Sequence, residues 1–403
     1  MAAFNYAVRD KAGRVVKGSL DGYSKEAVRT KLTQMGYVIL ELEQESAFAA
    51  LGKLKIGSGI KSKDITVFAR QFATMINAGL SLTKCLSILG SQTESAALRD
   101  VISQIGKDVE AGQSLSDSMS KHPRVFPPIF VNMVRAGETG GVLDEVLLRV
   151  ADHFERDAAL KGRIKSAMTY PIAMGALVII ILVAMMVFVV PTFEKMFADM
   201  GGTLPFMTQV LVTLSNVVAS IWGVVGVAGV VAMIVAFKWW KRTPSGKMIW
   251  DGITLRAPVF GPLVRKLSLA KFTRTFGTLV AAGVPILTAL DIVADTSGNE
   301  VIAQAVKKSR AAIKEGETIA KPLSESPVFP SMLVQMIAVG EETGALDAML
   351  NKIADFYDEE VGQAVESLTS LIEPLMMASL GAVVGAMVIA LYLPMFTVIS
   401  LVK

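Results

Sequence analysis

One cysteine and two histidines are all the thiol and imidazole this chain holds. A lone Cys85 excludes an intramolecular disulfide framework and a cysteine-based zinc site. In LTKCLSIL it sits at a helical, apolar-facing spacing and reads as a buried small hydrophobe. His122 and His153 have no acid–histidine pattern around them and read as solvated or capping side chains. No G-x-x-x-x-G-K-[ST] occurs. Gly246-Lys247 is followed by Met248, which cannot supply the magnesium-binding hydroxyl of a phosphate loop. There is no nucleophile elbow, zinc motif or EF-hand loop. No catalytic, cofactor-binding or metal-ligating set is therefore expected, and the chain is read as not an enzyme. A formal net charge of +4, spread over both signs without a basic stripe, argues against nucleic acid. The opening MAAFNYAVRDKAGR has no apolar segment, so no cleavable signal peptide is expected.

Apolar length is abundant. Three uncharged runs, 172–190, 217–237 and 375–393, reach the ~18 residues that mark a membrane span, each near the ~30 Å of a hydrocarbon core. None carries an ionisable residue between its ends, as a proton relay or ion pathway normally would. A small-solute transporter is the alternative from another class. It would need broken helices or a polar midplane site, and Gly223, Gly226 and Gly229 in the second run are its only hint. Glycines at this spacing more often permit close helix packing, so these three are helix-packing candidates.

The chain also says one thing twice. Phe68-Ala-Arg-Gln-Phe72 recurs as Phe272-Thr-Arg-Thr-Phe276, Phe126-Pro127 as Phe329-Pro330, and Gly137-Glu138 with Gly141-Val-Leu-Asp144 as Gly340-Glu341 with Gly344-Ala-Leu-Asp347. Ala151-Asp152-His-Phe returns as Ala354-Asp355-Phe-Tyr, and Pro171 and Pro191 as Pro374 and Pro394. A period of about two hundred residues means a duplicated domain; solenoid repeats are roughly 20–50 residues. Phe68, Phe72, Met75 and Ile76 share one helix face, a buried stripe. Asn77-Ala78-Gly79 ends that helix. Shorter helices follow, punctuated by Gly112, Pro123, Pro127-Pro128 and Gly137. A last helix starts near Gly141, or Gly344 in the second copy, and runs toward the membrane up to Pro171 or Pro374, span edges where a kink disrupts least.

These patterns divide the chain as follows. Residues 1–45 form a small α+β unit, with strands around a turn at Lys11-Ala-Gly13, a helix from Ser24 to Gly36, and a strand. Residues 46–62 are a linker and 63–170 the first helical bundle. A first span covers 171–191, a loop 192–216, and a second span 217–237. A basic linker and second bundle fill 238–373, a third span 374–394, and a tail 395–403. The fold class is an all-α membrane protein, with two homologous cytoplasmic helical bundles, three transmembrane helices and the α+β unit. Lys161, Arg163 and Lys165 before the first span, and Lys238, Lys241, Arg242 and Lys247 after the second, place those flanks in the cytoplasm. Parity then puts the C-terminus outside. The second span has no counterpart in the repeat; it returns the chain so that both bundles lie on one side.

The repeated acids have a bland and a sharp reading. Glu138 and Asp144, like Glu341 and Asp347, flank the glycines before the last helix. They complement its dipole, worth about 0.3–1 kcal/mol each, or form a contact surface on exposed helix ends. Asp355, Asp358, Glu359 and Glu360 make a denser group. Residues 256–373 hold 11 Lys/Arg against 15 Asp/Glu, so this group is a solvated face or a docking surface for a basic partner.

At RQFATMINAGLSL and GETGGVLDEVL the pattern becomes specific. The chain resembles the PilC/GspF family, the inner-membrane platform proteins of type IV pilus and type II secretion machines, over essentially all of residues 1–403. The resemblance implies six-helix cytoplasmic bundles in two F-domain copies, homo-oligomerisation, a multi-pass place in the bacterial inner membrane among its lipids, and contact with other inner-membrane machine components. It also implies a hexameric motor ATPase, for assembly or retraction, on the cytoplasmic face, and pilin or pseudopilin subunits in the bilayer. Some members show a metal ion at acids of the first bundle. Glu138 is the residue of matching type, but one acid does not make a site. The pilus and secretion alternatives share the same platform, and the sequence leaves both open.

Overall fold

A computed structural model describes residues 2–9, 15–22, 25–44, 60–199 and 206–401. The chain divides into two compact units, the second opening at Ser62. In the first, β1 (Ala2–Arg9), β2 (Val15–Gly22) and β3 (Val38–Gln44) form an antiparallel sheet in the order β2-β1-β3, and α1 (Lys25–Gln34) joins β2 to β3. Val28 and Leu32, four apart on one helix face, pack on Val8 of the sheet. The turn at Lys11–Gly13, Ser24 and most of the 46–62 linker lie outside the described residues.

In the second unit the repeat is visible helix by helix. The first copy is α2 (Ser62–Asn77), α3 (Leu82–Gln92), α4 (Ala96–Glu110), α5 (Leu115–Ser120), α6 (Pro128–Gly140) and α7 (Leu143–Ala184). A π-helical turn, Met185–Val189, carries α7 into α8 (Val190–Asp199), then α9 (Phe206–Ala219) and α10 (Ile221–Trp240) follow. After α11 (Pro244–Arg256) come the second copy's α12 (Phe260–Ala281), α13 (Ile286–Thr296), α14 (Glu300–Lys314), α15 (Ala320–Ser324), α16 (Ser331–Thr343) and α17 (Leu346–Leu401). Helices α3 and α4 start 204 residues before α13 and α14, and α6 and α7 start 203 before α16 and α17. The slip of one residue therefore falls around the short fifth helix of each bundle, where a connection absorbs it.

Each bundle is built around the same aromatic step. Phe68 and Phe72 lie 5.5 Å apart, and Phe126 meets Phe68 edge-on at 5.6 Å. Phe272 and Phe276 lie 5.9 Å apart, and Phe329 meets Phe272 edge-on at 5.1 Å. Both separations suit the ring quadrupoles. The prolines after Phe126 and Phe329 are the N-caps of α6 and α16, so each Phe-Pro pair plugs a core and starts a helix. Cys85 is fully buried, as its spacing indicates.

Two helices among the described residues are long and apolar enough to cross a membrane, Leu143–Met196 and Leu346–Ala390. At 1.5 Å per residue each exceeds about 65 Å, roughly twice the hydrocarbon core. The charged N-terminal half of each belongs to its bundle, and the apolar half exposes Ile172, Ile180 and Phe188, or Leu375 and Ile389. Neither helix ends at its proline. Pro171 lies inside α7 and Pro374 inside α17. One proline removes a single ladder bond, which a helix of this length absorbs.

The central region differs from the expected loop and span. Residues 192–199 and 206–216 of the expected loop are helical, within α8 and α9, and 200–205 lie outside the described residues. The expected second span is divided at Ser220 between α9 and α10; α10 has 20 residues, and its described apolar stretch is Ala228–Trp240. Helix α9 packs Val212 against Met186, Val190 and Met387. Its Ser215 hydroxyl donates to the Met186 carbonyl in the π-helical turn, and its Thr208 hydroxyl donates to the Ala390 carbonyl of α17 at 2.6 Å. A π turn leaves carbonyls poorly paired, and Ser215 answers one of them.

Candidate functional site

The last helix of each copy receives an arginine from the first. Arg70 of α2 donates through Nε to Glu155 Oε1 at 2.6 Å and through Nη2 to Glu155 Oε2 at 2.6 Å and Asp152 Oδ1 at 2.5 Å. Arg274 of α12 donates through Nη2 to Asp355 and to Asp358, both at 2.7 Å. The acids stand three residues apart on one helix face in both copies, which lets one planar guanidinium reach both. Arg274 is only 9% exposed. The hydrogen bond from Arg70 lowers the Glu155 carboxyl below its ordinary value. At Asp355 burial pushes the carboxyl up, but the Arg274 hydrogen bond and the charges of Arg274 and Arg156 outweigh it and hold it below the usual range.

The second clamp also crosses between copies. Arg156 of α7 donates through Nη1 to Asp355 of α17 at 3.1 Å, so Asp355 serves an arginine from each bundle. His153 stands beside it, half-buried as a residue but with Nδ1 enclosed and unpartnered, and burial pushes it down to about 4. His122 likewise keeps an enclosed Nε2 without a partner. Neither histidine is the solvated or capping side chain its sequence context suggested.

The glycine–acid loops have a more specific task than complementing the helix that follows. Gly137 and Gly340 do not break a chain segment; they lie within α6 and α16. A Cβ on Gly137 would stand 3.0 Å from Val146 Cβ and 3.1 Å from Leu143 Cα, and one on Gly340 3.0 Å from Leu346 Cα. The bare backbone lets each helix press on the start of the next. The turns themselves are made by Gly141 and Gly344, which cap α6 and α16 in the left-handed region at φ 70° and 72°. The next residue after each packing glycine then points back. Glu138 accepts from the Leu115 and Ser116 N–H groups of α5 at 2.5 and 3.1 Å. Glu341 accepts from the Ile319 N–H at α15, with its two oxygens at 3.0 and 2.9 Å. Both glutamates are half-buried and neutralise the open N-terminus of a short helix. They are not on exposed helix ends, and they serve α5 and α15 rather than α7 and α17.

The remaining candidates divide by exposure. Asp144 and Asp347 occupy the first turns of α7 and α17, Asp144 exposed and Asp347 half-buried. In the acidic group, Asp355 and Asp358 are held by Arg274, and Glu360 by Lys266 at 2.5 Å. Glu359 is exposed and makes no ion pair among the described residues. Most of the charge that suggested a docking face is thus balanced within the chain. Gly226 and Gly229 of α10 have no neighbouring atom within 4 Å of a built Cβ, so among the described residues no helix closes on them; the surroundings of Gly223 lie outside the described residues.

A metal at Glu138 does not fit. Both its oxygens already accept backbone hydrogens, and no group of three or more His, Cys, Asp or Glu is placed to hold an ion among the described residues. The feature that sequence reasoning missed is the arginine clamp. Its signal was present: the arginine of F-x-R-x-F recurs with an acid pair three residues apart, Asp152 and Glu155, then Asp355 and Asp358.

The comparisons agree with this duplicated architecture. The family model described as type II secretion system (T2SS), protein F, matches residues 68–191 and again 272–394, and the model of that protein's N-terminal domain matches 1–43. The chain is 45% identical over 98% of its length, and 95% of the relative's, to type IV pilus assembly protein PilC of Myxococcus xanthus. It is 39% identical to a protein of the same name in Thermus thermophilus, over 99% of both chains. Against type II secretion system protein F of Vibrio cholerae the identity is 31%, over 98% of both chains.

Proposed function

This chain belongs to the type II secretion system protein F family, and from that premise we propose that it is the inner-membrane platform of a type IV pilus assembly machine. The observation that carries the choice is the 45% identity along nearly the whole chain to a pilus assembly protein, against 31% to a secretion protein of similar coverage. In this reading the platform couples a hexameric cytoplasmic motor ATPase to the insertion or removal of pilin subunits. It does no chemistry of its own. Three spans hold it in the inner membrane, with the N-terminus cytoplasmic, the C-terminus outside, and both bundles facing the motor.

The geometry supports a force-bearing part rather than a channel or an enzyme. In each copy one helix runs from the bundle into the apolar segment without a break, so displacement of the bundle is carried along a rigid rod. The arginine clamps fix that rod to the first helix of its bundle, and Arg156–Asp355 ties the two bundles together. The test is deletion of the gene followed by complementation, scoring surface pili and secreted enzymes in the same strain. Loss of pili with secretion intact supports the proposal. Intact pili with lost secretion would replace it by the type II secretion platform.

A further inference from the structure

Where the second copy lies against the first there is a cavity of about 380 Å³. It opens to solvent and has room for a phosphate-sized group with waters. Arg124 reaches it from the loop before α6, Arg156 and Lys161 from α7, and Lys271 and Arg274 from α12; Asp157 and Asp358 are its acids. The acids are already engaged, Asp157 by Lys161 at 2.5 Å and Asp358 by Arg274 at 2.7 Å. Arg156 and Arg274 share Asp355 close by. Arg124 and Lys271 are left without a carboxylate among the described residues, a surplus of two positive charges. Burial already pushes the Lys271 ammonium down, against the pull of Asp157.

Two buried nitrogens at this junction also have no partner, His153 Nδ1 and Arg274 Nε, and both residues line the cavity. A buried polar atom left unpaired costs about 1–3 kcal/mol, so such atoms normally mark a missing ligand or water. Arg274 has its counterpart in Arg70, but the fold does not require the rest of this cationic set. At the matching places of the other copy stand Val67 for Lys271, Phe356 for His153, Glu359 for Arg156 and Ala364 for Lys161. The bundle is built there without them.

We propose that this cavity binds a soluble phosphate-bearing anion, which pairs Lys271 and Arg124 and bridges the first copy's α7 to the second copy's α12. Phosphate oxygens suit guanidinium forks and a partly desolvated ammonium such as that of Lys271. A lipid phosphate is a poorer source. Lys161 precedes the apolar run at Ile172 by 11 residues, about 16 Å along the helix. The headgroup layer is only about 5–8 Å deep on each side.

The experiment uses the full chain in detergent, with inorganic pyrophosphate as the probe in calorimetry and thermal melting. A second arm measures binding of the chain to nanodiscs of phosphatidylglycerol and of phosphatidylcholine. Saturable pyrophosphate binding is expected, weakened at least about tenfold, or 1.4 kcal/mol, in Lys271→Met. Lys321→Met, whose side chain pairs with Glu317 and does not line the cavity, should leave it unchanged. If Lys271→Met fails to fold, Arg124→Gln on the exposed loop serves instead. No saturable binding, or equal binding in wild type and variant, overturns the proposal. So does a Lys271-dependent preference for phosphatidylglycerol without pyrophosphate binding, which would make the ligand a lipid headgroup.

Discussion

Arg156 and Asp355 stand 199 residues apart in the chain, yet their side chains meet at 3.1 Å across the junction of the two copies. Asp355 is held at the same time by Arg274 at 2.7 Å. The second copy's own clamp and the contact between copies therefore share one carboxylate, and loosening either disturbs both.

The two arginine clamps should differ in weight. Removing one partner of a buried pair costs about 3–5 kcal/mol. Arg274 is enclosed, but Asp355 is more than half exposed, so solvent screening reduces the figure to about 1–3 kcal/mol for Arg274→Met. Arg70 is about a third exposed, and Arg70→Met should cost about 1 kcal/mol or less. Thermal melts of the two variants in one detergent check the order. A larger loss in Arg70→Met would show that burial does not rank them.

Glu138 and Glu341 should matter to folding. Each closes a helix N-terminus with a charge-assisted bond, worth about 1.5–3 kcal/mol. Glu138→Lys with Glu341→Lys should lower the melting temperature clearly and weaken the α5 and α15 regions in hydrogen exchange. An unchanged melt, with altered binding to a motor, would return these residues to the role of contact surface.

Gly137→Ala and Gly340→Ala should each destabilise by about 1–3 kcal/mol, because the new methyl meets backbone and β-carbon atoms that cannot move aside easily. Gly226→Ala, which faces open space, should leave monomer stability unchanged. Equal effects at Gly226 and Gly137 would contradict the packing role.

His153 should make stability fall on mild acidification. Its folded value, held at about 4 by burial, lies below the ordinary 6.5. The unfolded chain thus takes up a proton first, and stability present above pH 6.5 is lost as pH falls toward 4, by at most on the order of 3 kcal/mol. Melting temperature measured from pH 7.5 to 4.5 should show this slope, and His153→Phe, which copies Phe356, should flatten it. An identical slope in the variant would place the titration elsewhere.

Much of the bundle was legible in the sequence because its rules are local. The Phe68–Phe72 spacing, the turn glycines Gly141 and Gly344, and the Phe-Pro pairs act within a few residues of themselves. The site was less legible because its bonds are not local. Arg70 meets Glu155 85 residues on, and Glu138 reaches back 22 and 23 residues to α5. Acids considered without their arginines look like a free surface. Gly137 looked like a break because a glycine that turns the chain and one that admits a neighbouring helix read alike; only the approach of Leu143 separates them. The 192–216 segment looked like a loop because Gly201, Gly202 and Pro205 interrupt its apolar residues, and only packing on Met186 and Ala390 shows what they face.

Motor coupling through the cytoplasmic bundles is tested most directly by ATPase turnover. The full chain in nanodiscs is added to the purified pilus motor ATPase of the same organism, and hydrolysis is compared with empty nanodiscs. Turnover should rise with wild type, rise less with Arg156→Ala and Asp355→Ala together, and stay at background for the chain alone. A motor rate indifferent to the chain, or hydrolysis by the chain without the motor, would contradict the role of a non-catalytic coupling platform.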